Sequence, residues 1–286
     1  MQKAVVGIIG IAGAFGQLLE KEFLKFDGCM EVIGFDPNER LTHDRAYVTS
    51  RADVIVFSVP MRSMEHVISS CVQDSRRDQL WMDVGSLKII PVRAMLASQA
   101  EVIGMHPMFS PKHGSFVDQH VWFTDARVSQ WREWFSAFQQ SCGAHFHRIL
   151  PDDHDQKMAI VQALTHAMLL TMGATLSQRD IEVVKACAPI STPVYEIAFS
   201  LIGRILAQEP GIYADIQMLN PWVPDVLDHA IAKLMTFREQ VVHEQRSAFT
   251  QDFLETRQRF GEDTVQDAFQ MFEALMPVAS AFRKTT

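Results

Sequence analysis

Val5-Val6-Gly7-Ile8-Ile9-Gly10-Ile11-Ala12-Gly13-Ala14-Phe15-Gly16 is an apolar run that dissolves into glycines and resumes with helical spacing. A strand, a tight turn and a helix in this order open a nucleotide-binding sheet. Glycines permit the turn and let a pyrophosphate approach the backbone, and the helix N-terminus offers N–H groups to its charge. The spacing departs from strict G-x-G-x-x-G: Gly13 and Gly16 fit its last two positions, Ile11 occupies the first, and Gly10 sits one residue early. Context strengthens the reading, because a second predicted strand, Glu31–Phe35, leads into Asp36 about twenty residues beyond the turn. A carboxylate there accepts hydrogen bonds from an adenosine ribose and repels a 2′-phosphate, so NAD is the expected cofactor. Arg40 is close enough in sequence to keep NADP open. The cofactor contacts are then expected from Gly10, Ile11, Ala12, Gly13, Ala14, Phe15, Gly16 and Asp36, with Ser58, Val59 and Pro60 lining the same cleft at the end of a third strand.

Outward from this turn, short apolar runs alternate with amphipathic ones. Strands are predicted at Ala4–Ile9, Glu31–Phe35, Val54–Val59, Leu80–Asp83, Glu101–Gly104, His120–Thr124 and His145–Ile149. Helices are predicted at Ala14–Phe26, Ser63–Cys71, Lys88–Ala97 and Val128–Ser141. This alternation is that of a parallel sheet covered on both faces. After Pro151 the pattern changes. Asp152 to Leu176 reads as one long helix with an acidic start that suits its dipole. Helical periodicity continues to the end, broken only near Pro189–Pro193, Pro210–Gly211 and Pro221–Pro224. The expected architecture is an α/β Rossmann-like nucleotide-binding domain over residues 1–150 and an all-α domain over residues 151–286. The helical half is rich in Met, Leu, Ala and Phe, which suggests a homodimer through it.

The 286 residues are 48% hydrophobic and 21% charged, enough for a sizeable core. A formal net charge of −8 argues against nucleic acid or an anionic membrane as partner. Cys29, Cys71, Cys142 and Cys187 form no ligand pattern, so no metal is expected and reduced thiols fit a cytoplasmic protein. The chain enters a strand within a few residues of Met1, leaving no room for a signal peptide, and no apolar run approaches the roughly 18–20 residues of a membrane span.

Chemistry is expected at Gly104-Met105-His106-Pro107-Met108-Phe109, just past a predicted strand. A histidine held by a following proline at the edge of such a sheet can meet a cofactor's reactive end and trade protons near neutral pH. Asp83-Val84-Gly85-Ser86-Leu87-Lys88 brings a hydroxyl and an ammonium to the same edge. His106 is the candidate proton acceptor and Ser86 its neighbour; Lys88 reads equally as a solvated helix start or a site residue.

These residues carry a family resemblance. Gly104-Met-His-Pro-Met-Phe-Ser-Pro-Lys-His-Gly-Ser115, Asp83 to Lys88, His154-Asp-Gln-Lys-Met-Ala159, Gln162-Ala-Leu-Thr-His166 and the stretch Gly203 to Ile216 resemble the bacterial prephenate dehydrogenases, and within them the dehydrogenase part of the fused chorismate mutase–prephenate dehydrogenases. The mutase part is not expected in this chain. The resemblance implies a Rossmann-like domain, a helical dimerisation domain and NAD-dependent oxidative decarboxylation of prephenate, a small dianionic substrate. It puts the catalytic histidine on His106, a hydroxyl-orienting serine on Ser86, a substrate-binding histidine on His166 and a carboxylate-binding arginine on Arg204. An arginine fork suits a carboxylate; without the resemblance Arg204 reads as a surface ion pair with Glu209 or Asp215, and His166 as a core histidine. Tyr213 walls the pocket or packs, and His154 reads either as a residue of binding or inhibition or, more simply, as a solvated helix-end histidine. Two positions depart from the family pattern, where arginines are expected: Glu196, eight residues before Arg204, and Thr165, just before His166. They leave open 4-amino-4-deoxyprephenate as the substrate. A catalytically silent NAD-binding sensor of an aromatic ligand is the alternative from another class, disfavoured by the joint presence of Ser86, His106, His166 and Arg204.

Overall fold

The computed structural model describes residues 3–39, 43–180, 182–184 and 190–283. Arg40, Cys187 and Pro189 lie outside them. The chain forms two compact units: Met1–Ala159 with Ala214–Pro221, and Ile160–Tyr213 with Trp222–Thr286.

The first unit is a seven-stranded sheet: β1 (Ala4–Ile9), β2 (Cys29–Phe35), β3 (Val54–Phe57), β4 (Leu80–Asp83), β5 (Glu101–Pro107), β6 (His120–Arg127) and β7 (His145–Arg148). The spatial order is β2-β1-β3-β4-β5-β6-β7. The first five strands run parallel, whereas β6 is antiparallel to β5 and β7 parallel to β6. The uniformly parallel sheet expected from sequence is therefore a mixed one. The cause is local: residues 108–119 between β5 and β6 hold only a short 3-10 turn at Pro111–His113, with no crossover helix to return the chain to a parallel start.

Alternate residues of each strand face opposite sides, and both sides are covered. Val6 and Ile8 pack with Leu19 and Phe23 of α1 (Ala14–Lys25) and with Trp134 and Phe138 of α5 (Arg132–Cys142). Val5 and Ile9 pack with Val48 of α2 (Arg45–Arg51), Met64 and Ile68 of α3 (Met61–Cys71) and Met95 of α4 (Ile89–Leu96). Helix α2 escaped the sequence reading, yet Asp44 caps it, its Oδ1 accepting the Tyr47 N–H at 3.0 Å. Strand β5 also runs further than predicted, to Pro107, so His106 lies in the strand and pairs with Trp122 of β6.

Residues 151–177 are continuously helical: α6 (Pro151–Met158), a π-helical segment Ala159–Leu164 and α7 (Thr165–Ser177). This 27-residue run is long and apolar enough by length and composition to cross a membrane, contrary to the sequence expectation. Its first turns are polar and held on the sheet unit. Lys88 N–H donates to Asp155 Oδ1 at 2.7 Å, and Asn220 Nδ2 donates to the Asp155 carbonyl at 2.7 Å.

The second unit is helical throughout its described residues. Helix α7 packs on the helix Pro193–Leu206, where Gly173 lies so close that a Cβ there would sit 2.9 Å from Ile202 Cγ2. Many large apolar side chains of this unit stay exposed within one chain, among them Leu206, Ile231, Met235, Phe253, Phe260 and Met271.

Candidate active site

In a doubly wound sheet ligands bind beyond the carboxyl ends of the strands, where the order reverses. Here that point lies between β1 and β3, which flank each other while the chain departs from β1 to β2 on the other side. Gly10 ends β1 with φ +93°, a conformation that L side chains rarely adopt, and a Cβ there would lie 2.3 Å from the Ser58 carbonyl oxygen. The glycine turn thus touches Ser58, with Val59 beside it, as the sequence reading supposed. Gly16 is tighter still: a Cβ would meet the Gly10 oxygen at 2.2 Å and Ile11 Cα at 2.7 Å. Gly13 caps α1 without a side chain, and no acidic residue occupies the first turn, so the positive end of the helix stays available to an anion.

Asp36 follows β2 and is buried; its Oδ2 accepts the Ala12 N–H at 3.2 Å and its Oδ1 the Asn38 N–H at 3.0 Å. A carboxylate tied to the glycine turn fits an adenosine ribose. Ile11, by contrast, packs its side chain on Gly34 of β2, a packing role for a residue grouped by sequence with the cofactor contacts. Ala12 and Ala14 lie on the turn and the first helical residue, and Pro60 begins the step into α3. Phe15 meets Phe109 edge to face with ring centroids 5.9 Å apart, which brings the loop after His106 against the start of α1. The residues present therefore fit a dinucleotide.

Ser86 and His106 extend from neighbouring strands, since Asp83 and Gly104 are partners in the β4–β5 register. Ser86 is half-buried in the turn before α4. His106 is only 3% exposed, and its Nδ1 lies 3.0 Å from Nε2 of His154. His154 is fully buried, and its Nδ1 lies 2.7 Å from Asp155 Oδ1. The solvated helix-end histidine expected at 154 is instead an interior group, with the Trp122 ring edge to face against it at 6.0 Å. The first turn of α6 falls on the sheet rather than in solvent, which primary structure does not reveal. Lys88 is likewise a buried residue and not a solvated one. Its Nζ donates to Asp83 Oδ2 and to the Met105 carbonyl, one residue before His106.

Charge in this interior is perturbed. Burial pushes His106 well below its ordinary 6.5, reinforced by His154 and the Lys88 ammonium. Burial also lowers His154, against the Asp155 hydrogen bond. Burial raises Asp83 to about 6, opposed by Lys88, and lowers Lys88, opposed by Asp83. At neutral pH both imidazoles are uncharged. Among the described residues no group of His, Cys, Asp and Glu side chains is arranged to hold a metal.

His166, Tyr213 and Arg204 lie in the second unit. The His166 and Tyr213 rings stand edge to face, 4.9 Å apart. Burial lowers the His166 imidazole, and the Arg204 guanidinium lowers it further. His166 Nδ1 is buried with no hydrogen-bond partner among the described residues, an unsatisfied atom suited to a ligand. Arg204, in the last turn of its helix, is exposed. Asp215 pairs with Arg62 at 3.1 Å, not with Arg204 as one reading of the sequence had it. Glu196, in the first turn of the same helix, accepts from Ser191 Oγ at 3.3 Å, and Thr165 is exposed.

The fold and its glycine turn define a doubly wound nucleotide-binding protein with an uncharged imidazole at the carboxyl edge of its sheet. Residues 38–148 match the family description "Prephenate dehydrogenase, nucleotide-binding domain" and residues 150–255 match "Prephenate dehydrogenase, dimerization domain". The chain belongs to the prephenate dehydrogenase family. It is 32% identical over 249 residues to a probable arogenate/prephenate dehydrogenase of Methanocaldococcus jannaschii, covering 85% of this chain and 56% of the relative. It is 34% identical over 220 residues to the T-protein of Enterobacter agglomerans, covering 74% and 56%. The chain thus spans just over half the length of these relatives. Its fold is also that of prephenate dehydrogenase from A. aeolicus in complex with hydroxyphenyl propionate and NAD+, with a TM-score of 0.70 at 18% identity, covering 97% of this chain and 98% of the other.

Proposed function

We propose that this chain carries out NAD-dependent oxidative decarboxylation of prephenate to 4-hydroxyphenylpyruvate, in the cytoplasm and as a homodimer. The observation that carries the reading is the buried, uncharged imidazole of His106 at the sheet edge beside the glycine turn. NAD, when bound, supplies the acceptor for the hydride that leaves C4. His106 takes the proton of the C4 hydroxyl as that hydride departs, and Ser86 orients the hydroxyl. Loss of carbon dioxide from C1 sends its electron pair into the ring, and the proton returns from His106 to the phenolate oxygen. Because the product is aromatic, much of the driving force belongs to the substrate, and the protein's task is positioning and charge stabilisation. Arg204 binds a carboxylate, His166 offers its unsatisfied nitrogen to the substrate, and Tyr213, edge to face with His166, walls that pocket. Asp36 favours NAD over its phosphorylated form. The exposed apolar side chains of the helical unit are the proposed dimer surface.

Glu196 supports a second reading, the same chemistry on 4-amino-4-deoxyprephenate, because a carboxylate favours a substrate with an amine in place of the neutral hydroxyl at C4. A relative in Streptomyces pristinaespiralis, 26% identical over 216 residues, carries that enzyme name. NADH absorbance with prephenate, arogenate and the amino analogue ranks the three by kcat/KM. His106→Asn should abolish turnover with NAD affinity nearly intact; surviving turnover would remove His106 from the chemistry, and no turnover by the wild type on any of the three would favour a silent sensor.

A further inference from the structure

We infer that Asp155, acting through His154, is a positioning residue that fixes the proton of His106 on Nδ1 and leaves Nε2 as the nitrogen that accepts the substrate's proton. This rests on the assignment of His106 as the base, and it gives a part in the chemistry to Asp155, to which the sequence reading gave none. The three side chains form an interior line. Asp155 is 1% exposed and His154 fully buried, so water does not compete for their bonds. A carboxylate only accepts, so at 2.7 Å from Asp155 Oδ1 the His154 Nδ1 must carry hydrogen. A neutral imidazole has one N–H, which makes His154 Nε2 an acceptor. That acceptor is 3.0 Å from His106 Nδ1, which must then be the protonated nitrogen of the second ring. The reverse arrangement would leave Asp155 Oδ1 facing a lone pair.

Asp155 is itself held in place. Its Oδ1 also accepts the Lys88 N–H at 2.7 Å, its Oδ2 accepts the Ile89 N–H at 3.0 Å, and Asn220 Nδ2 binds its carbonyl. Those two amides begin α4, directly after the turn that bears Ser86, so one carboxylate sets both the orientation of the imidazole pair and the place of the serine turn. When His106 becomes an imidazolium, its Nδ1–H points to His154 and the Asp155 charge lies behind it. The Lys88 ammonium opposes the new charge, and Asp83 in turn neutralises Lys88; His154 and Asp155 complete the ionisable groups brought to this side of the ring among the described residues.

The direct test is 15N NMR of histidine-labelled wild-type protein near neutral pH. His106 should show a protonated Nδ1 and a bare Nε2, and a protonated Nε2 would overturn the inference. Asp155→Ala, checked for folding by circular dichroism, should lower kcat about a hundredfold with KM changed little, and should mix the His106 tautomers. A folded Asp155→Ala protein with wild-type kcat and an unmixed tautomer would also overturn it. Failure of the functional reading looks different: His106→Asn would keep its turnover while the NMR result stood.

Discussion

Lys88→Met removes the ammonium that contacts buried Asp83, and the structure fixes what should follow. Both side chains are fully buried, and Asp83 Oδ1 already has no hydrogen-bond partner among the described residues. Losing the ammonium strands a carboxylate, a change that costs about 3–5 kcal/mol in comparable interiors. Proton uptake sets a ceiling. Asp83 already sits at about 6 in the folded wild type, so taking up a proton there costs only about 1.4 kcal/mol at pH 7, at about 1.4 kcal/mol per pH unit. The substitution should therefore cost about 1–2 kcal/mol at pH 7, well short of a stranded charge. Its pH dependence has a definite sign. A carboxyl whose folded value is raised holds its proton more tightly folded than unfolded, so stability is gained as pH falls through the folded value towards 3.8. From pH 7 to 5.5 the variant should gain about 2 kcal/mol from this group, and the wild type, with Asp83 at about 6, about 1 kcal/mol. The penalty thus shrinks on acidification. His106 and His154, lowered on folding, pull both proteins the other way, and losing Lys88 relaxes that pull in the variant, which adds to the same trend. Urea unfolding followed by tryptophan fluorescence reads the correct unit, because Trp81, Trp122, Trp131 and Trp134 all lie in it. A penalty above about 3 kcal/mol at pH 7, or one that grows towards pH 5.5, would refute the reasoning. The double variant with Asp83→Asn should recover most of the loss.

Gly16→Ala would force a methyl against the Gly10 oxygen and the Ile11 backbone, so NAD binding measured by calorimetry should weaken at least about tenfold, with about 1–3 kcal/mol lost in stability. Unchanged affinity would separate the turn from the cofactor. Arg204→Gln should raise KM by about 30–150-fold through loss of a charge-assisted pair worth about 2–3 kcal/mol, and an unchanged KM would remove Arg204 from the site. The acid limb of kcat/KM should lie below 6.5, because His106 stays unprotonated until its lowered value is passed. A limb at or above 6.5 would contradict the effect of burial.

Local physics made the sheet legible. The glycine turn, the alternating runs and the carboxylate at position 36 act over a few residues, so β1 and β4 fall on their predicted bounds and α1 ends one residue from its prediction. The β6 direction was missed because residues 108–119 form a short 3-10 turn and no crossover helix, an absence that the alternating pattern does not announce. His106 and Ser86 were singled out by residue type at strand ends, and Arg204 by the family resemblance of the stretch Gly203 to Ile216. Lys88, His154 and Asp155 were misjudged or passed over, since an acidic helix start has the same composition whether it meets water or a sheet.

What the chain's order of residues determined alone is the class of protein: a strand ending in glycines, a carboxylate after the next strand and an imidazole after a later one can be read from neighbours in the sequence. Only the tertiary structure decided which nitrogen of that imidazole carries hydrogen. The reason is physical: burial removes water as the default partner, and each buried proton must then sit where the next side chain, brought from 48 residues away, can receive it.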